Sequence, residues 1–118
     1  MRHRVADTVE LVVVGRRSGL PRSVLVGLLE VGSRAYVGHP ASTSGWTSNL
    51  DAAGRCTIVP PGRVPRDFRV VAIEDGPERE AVIRATFRQH PFPGNVIYFL
   101  ARGHVRATGR FYRLESLD

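Results

Sequence analysis

The chain has no lysine; all 17 residues counted as lysine or arginine are arginine. That absence removes Schiff-base chemistry, pyridoxal phosphate catalysis through an internal lysine, and a Walker-type phosphate loop. Cysteine is almost as scarce. Cys56 stands alone, so neither an intramolecular disulfide nor a cysteine-built zinc cage can form, and no metal is implied. No apolar run approaches the length of a bilayer span, which predicts no stable membrane insertion. The basic start Met1-Arg2-His3-Arg4 is followed by Asp7 and Glu10 without a small-residue cleavage pattern, so a cytoplasmic location is expected. Aromatic residues make up 8% of the chain and are not interleaved with arginines along one strand pattern. A base-stacking platform needs that interleaving, so nucleic acid is not the expected partner. Internal repeats and low-complexity stretches are missing as well.

What is present is the composition of a soluble globular domain, 42% hydrophobic and 24% charged over 118 residues. It predicts one domain over residues 1–118 with one modest core. The formal net charge of +6 suggests polyanionic partners, namely nucleic acid, an anionic membrane or a phosphorylated and carboxylated cofactor, and composition does not choose among them.

The most informative stretch is Gly15-Arg16-Arg17-Ser18-Gly19-Leu20-Pro21-Arg22. It lies between the β-branched runs Val9–Val14 and Val24–Val31, which read as buried strands, so it is a hairpin tip. Gly15 and Gly19 permit positive φ, and Pro21 suits the first residue of a strand. Arg16, Arg17 and Arg22 then converge at one end of a sheet. Their planar guanidinium groups make either a seat for an anionic ligand or a solvated basic tip.

Further along, 35–39 reads as a third strand, 46–53 as a short helix ended by Gly54, and 55–59 and 68–73 as strands. Asp75 to Glu78 has the spacing of a capping box, Pro77 fits only the first helical turn, and Val82, Ile83 and Phe87 form a buried stripe. Helix is favoured for 95–101. The alternation in 106–114 reads as the closing strand, with Phe111 and Tyr112 on opposite faces and Arg102, Arg106, Arg110 and Arg113 solvated. This order predicts a mainly β protein with α, a six-stranded antiparallel barrel with two or three helices packed outside.

Gly15-Arg16-Arg17-Ser18-Gly19 with Pro21-Arg22, followed by Trp46-x-x-Asn49-Leu50-x-Ala52 just before a strand, resembles the deazaflavin-dependent nitroreductase family. That family consists of split β-barrels related to the flavin-binding, pyridoxamine-phosphate-oxidase-like group. The likeness spans roughly residues 9 to 114. It implies binding of coenzyme F-420, a deazaflavin with a phosphodiester and a poly-glutamate tail, with FMN as the less favoured alternative. By that resemblance Arg16, Arg17 and Arg22 and the backbone of the turn, including Ser18 and Gly19, cradle the anionic tail. Trp46 and Asn49 lie beside the ring system. The implied chemistry is hydride transfer to a small-molecule acceptor such as a quinone, an enone or a nitroaromatic, by a monomer or homodimer.

The departures from the family bear on chemistry. A serine and a lysine usual after the third strand are replaced here by His39-Pro40, and the proline usual before the tryptophan is missing. His39, at a strand end beside the implied ring, either protonates the acceptor or is structural. Tyr98 is the second candidate proton donor implied by the resemblance. Asn49 either bonds the cofactor or ties its helix to a neighbouring loop. Trp46 is either a ring contact or core. His90 and His104 lack ligand-like spacing, and Cys56 reads as an inert apolar residue. The alternative class is a non-catalytic barrel that holds a flavin, a deazaflavin or an apolar molecule.

Overall fold

The structure is a computed structural model that describes residues 7–39, 45–89, 93–100 and 102–117, with the side chains of Asp7, Phe87, Asn95, Tyr98 and Arg106 outside the description. Ten elements follow one another: β1 (Asp7–Val14), β2 (Pro21–Val31), β3 (Arg34–His39), α1 (Gly45–Ala53), β4 (Arg55–Val59), β5 (Arg66–Ala72), α2 (Pro77–Gln89), α3 (Gly94–Leu100), α4 (Arg102–Thr108) and β6 (Arg110–Ser116). The six strands close into an antiparallel barrel in the order β1-β2-β3-β6-β5-β4, with the helices outside it. This is the expected mainly β architecture with α.

The period-two pattern decides which side chains go inside. Val9, Leu11 and Val13 of β1 face Val26, Val37, Ile58, Tyr112 and Leu114 in one buried cluster. A second cluster forms on the outer face, where Leu29, Tyr36 and Phe111 pack under Val82, Ile83 and Val105 from the helices. Phe111 and Tyr112 thus serve opposite faces of β6, as their alternation predicts. The run in β2 is less buried than its composition predicts, because Leu25 is 73% exposed. It sits on the outer face, at the wall of a cleft and not under the packed helices that cover Leu29.

The barrel is split between β2 and β3. β2 pairs with β1 from Pro21 to Leu28 but with β3 only from Leu29 to Val31. Beyond that point the strands part, and Val37, Gly38 and His39 pair with β6 alone. Past Leu28, the partner of the first residue of β1, the Gln89 side chain takes over. Its amide nitrogen donates to the Glu30 carbonyl (2.6 Å) and its oxygen accepts from the Glu30 N–H (3.0 Å), so one side chain replaces a residue of strand and pins the end of α2.

Charged groups fasten the other end of α2. Glu78 accepts from Arg113 Nη1 at 2.7 and 2.8 Å and from the Tyr36 hydroxyl at 2.7 Å. Arg113 also donates to Glu115, which accepts from Arg69. The expected capping box is therefore replaced, since the Glu78 carboxylate turns to the sheet. Arg113 and Arg110 are likewise partnered and not merely solvated, because Arg110 Nη2 donates to both Asp51 carboxylate oxygens at 2.8 Å. No local pattern signals these partners, which are distant in sequence.

The strand predicted from Arg106 starts only at Arg110, and residues 102–108 are helical. Val105 is the buried anchor of that helix, and the Gly109 N–H closes it on the Val105 carbonyl at 2.7 Å. A Cβ at Gly109 would stand 2.5 Å from that carbonyl oxygen and 2.8 Å from the Phe111 ring. Glycine is the break between helix and strand, and the apolar alternation of the sequence runs across it without a local sign of the change.

Two measurements test this description. Gly109→Ala should lower stability by about 2 to 3 kcal/mol through overpacking, read as a shift in urea midpoint. Glu78→Gln should cost about 2 kcal/mol at neutral pH by removing charge-assisted bonds. Arg113 and then Tyr36 hold the Glu78 carboxyl below the usual glutamate range. Its contribution is therefore complete above the ordinary glutamate pKa and is lost as pH falls through the depressed value. Urea midpoints of the two proteins should converge on acidification, and a constant gap down to pH 3 contradicts the assignment.

Candidate functional site

Helix α1 positions the site. Leu50 is fully buried, and Trp46 and Ala53 pack beside it against the barrel core. Burial of one such leucine contributes about 2 kcal/mol. The helix is clamped from beneath by the Tyr112 hydroxyl, which donates to Asp51 at 2.7 Å, and by Arg110 Nη2, which donates to the same carboxylate. Burial first, and then Asp51, push the Tyr112 phenol well above its ordinary range, so it stays a proton donor.

The β1–β2 turn is held against this helix. Asn49 Oδ1 accepts from the Arg16 backbone N–H at 3.0 Å and from Arg16 Nη1 at 2.9 Å, while the same guanidinium lies 3.4 Å from the Gly45 carbonyl. Of the two readings for Asn49, the tie between helix and loop is the bond present. Within the turn, Gly15 N–H donates to the Leu20 carbonyl (2.8 Å), Gly19 N–H to the Gly15 carbonyl (2.9 Å), and Leu20 N–H to Ser18 Oγ (3.2 Å). Gly19 has φ +71°, as the turn demands. Gly15 does not have positive φ, and its need is space, since a Cβ there would meet Ser18 Oγ at 2.7 Å.

These contacts open a cleft of about 480 Å³ lined by Arg16, Arg17, Ser18, Arg22, Trp46 and Asn49. No carboxylate stands among its described lining residues. Gly19 shapes the turn but does not line the cleft. Arg17 and Arg22 have no hydrogen-bond or ion-pair partner among the described residues. A cluster of guanidinium groups, two of them with unspent donors and none facing an acid on the described lining, fits a phosphate or carboxylate ligand.

Trp46 also lines a second cleft, of about 300 Å³, at the split between β2 and β3. His39 reaches its wall, with its ring edge-on to the indole at 5.9 Å. The rest of that wall was not legible in the sequence, namely Leu25, Gly27, Thr86, Val105 and Phe111. Gly38 and Phe111 are register partners, and a Cβ at Gly38 would meet the Phe111 ring at 2.5 Å. The ring covers the glycine, which is a fact of pairing and carries no local signal.

Tyr98 belongs to α3, but its side chain lies outside the described residues, as does His90. His104 is exposed on α4 beside Thr108. Cys56 is buried, and burial followed by Asp67 pushes its thiol up to about 12, so it remains a protonated apolar side chain.

Neither a protein-family profile nor a curated protein matches the chain. Solved structures do. An Agrobacterium tumefaciens protein of unknown function, Atu2129, superposes with a TM-score of 0.68 at 17% identity, over 98% of this chain and 50% of its own length. HutZ, a heme storage protein from Vibrio cholerae, gives 0.66 at 12% identity over 96% of this chain and 83% of its own. An F420-H2 dependent reductase, FDR-A, gives 0.60 at 18% identity over 95% of this chain and 98% of its own. At these identities the likeness establishes the split-barrel fold.

The Asn49 tie is testable on its own. Asn49→Ala should destabilise by about 1 to 2 kcal/mol and release the Arg16 amide to rapid hydrogen exchange. Asn49→Asp, which keeps the acceptor, should retain the protection. Equal exchange in all three proteins contradicts the tie.

Proposed function

We propose that the chain binds a deazaflavin coenzyme of the F-420 type and passes a hydride between it and an electron-poor acceptor, a quinone, an enone or a nitroaromatic. One observation carries this reading: Arg16, Arg17 and Arg22 meet Trp46 around one cleft with no carboxylate on its described lining. The coenzyme, when bound, supplies the hydride, and the protein supplies position and exclusion of water.

Each residue then has a task that its placement allows. Arg17 and Arg22 grip phosphodiester and carboxylate oxygens, while Arg16, already braced by Asn49, presents the turn and its backbone. The Trp46 indole, shared by both clefts, separates the charged end of the ligand from the acceptor. The cleft at the split receives that acceptor, and His39 on its wall delivers the proton that accompanies hydride addition. FMN shares the phosphate but lacks the glutamate tail, so it uses fewer of these donors.

A second reading is a non-catalytic binding barrel. It draws on the resemblance in fold to HutZ, a heme storage protein, and on the loss of the family's serine and lysine at His39-Pro40. The two readings part on turnover. The first expects oxidised F-420 to raise fluorescence polarisation at micromolar protein and the reduced coenzyme to be consumed with menadione. The second expects ligand binding, of F-420 or of hemin by its Soret band, without consumption.

Arg17→Ala combined with Arg22→Ala should weaken F-420 at least about tenfold, the loss of roughly one charge-assisted contact, with an unchanged unfolding midpoint. Unaltered affinity in that variant removes the cleft from the assignment. Absence of binding at micromolar wild-type protein removes the coenzyme.

A further inference from the structure

The barrel has a second mouth, at the end remote from Trp46. Val13 lines the arginine cleft and Val9 lines this other opening, so four residues of β1, about 13 Å, separate them. The opening is a cavity of about 700 Å³, within the range of small-molecule sites. Its floor is the end of the barrel core, where Leu28, Ile58, Phe68 and Leu114 turn inward.

The rim is cationic. Arg34, Arg63 and Arg66 stand around it against one carboxylate, Glu30, among the described lining residues. Arg66 lies on the inward-facing side of β5, with its guanidinium 5.4 Å above the Phe68 ring and donating to Ser116 Oγ at 3.2 Å. Arg63 has no side-chain partner among the described residues. It is carried by a turn stiffened by Pro60 and Pro61, in which the Arg63 N–H donates to the Pro60 carbonyl at 3.1 Å and Gly62 takes φ +69°. Arg34 reaches Glu78 only at 3.5 Å, and the better-placed Arg113 dominates that carboxylate.

An apolar floor under a cationic rim, on which the Arg63 guanidinium has no side-chain partner among the described residues, is complementary to a molecule that has both parts. We propose that this mouth binds a small organic anion with an apolar body, a medium-chain carboxylate being the simplest member. The head meets Arg63 and Arg66, and the chain displaces water from the floor. A turn held by two prolines loses little freedom on binding. The site is independent of the coenzyme reading, because it shares no residue with either cleft at Trp46.

The four isoleucines report on location. Ile58 lies on the floor, Ile83 and Ile73 belong to the outer cluster, and Ile97 is exposed on α3. The full chain, with labelled isoleucine methyl groups, is titrated with sodium octanoate and separately with 1-octanol. The proposal expects saturable movement of Ile58, about tenfold tighter for octanoate than for octanol, with Ile97 still. Arg63→Ala with Arg66→Ala should erase that preference. Should the double variant fail to fold, Arg63→Ala alone, at an exposed turn, should still weaken octanoate about threefold. Equal affinity for the two ligands, movement of Ile97 before Ile58, or a motionless Ile58 at millimolar octanoate overturns the proposal.

Discussion

A single carboxamide oxygen fixes the geometry on which the functional reading rests. Asn49 Oδ1 accepts from both the backbone and the guanidinium of Arg16, joining a helix to a turn 33 residues earlier in the chain. Without this bond the turn and the indole helix are two separate features of one barrel end. With it, Arg17 and Arg22 stand at a set distance from Trp46. The acceptor is nearly buried, since Asn49 is only 8% exposed, so the bond is shielded from competing water.

That tie works only because α1 is itself immobilised. Leu50 plugs the barrel core while the adjacent Asp51 holds Tyr112 and Arg110. Apolar burial supplies the energy and the charged contacts set the rotation of the helix. The same division recurs on the outer face. There Val82 and Ile83 bury α2, and Glu78 and Gln89 set its position through Arg113, Tyr36 and the Glu30 backbone.

The split between β2 and β3 follows from this arrangement. The two strands pair only near their turn, and the separated segments leave space where helices, indole and imidazole meet. Gly38 allows the Phe111 ring to lie flat against the opened strand. Pairing of β2 with β3 along their whole length would leave no such opening, so the missing strand pairs and the cleft at the split have one cause. The net charge of the chain is likewise not spread evenly over the mouths. Arginines gather at both ends of the barrel over apolar residues, and the acids are engaged chiefly on its flanks.

The sequence by itself determined the strands, the turn and α1, because each is encoded by neighbours: period-two apolar runs, Gly19 at a position of positive φ, Pro21 at a strand start, Gly54 closing a helix. It also put the three arginines at one end of a sheet, and the family resemblance of its two motifs implied that Trp46 serves the same ligand. Its misreadings came where local pattern and tertiary partner disagree. The alternation around Arg106 was overruled by Val105 finding a buried seat, and Glu78 resembled a cap until Arg113 and Tyr36 claimed it. Only the tertiary structure decided that Asn49 braces Arg16, that Phe111 and Thr86 share a wall with His39, and that a second basic mouth lies opposite the first. Each of these depends on strand register and helix docking, which bring together residues tens of positions apart, and short-range sequence patterns carry no record of such pairings.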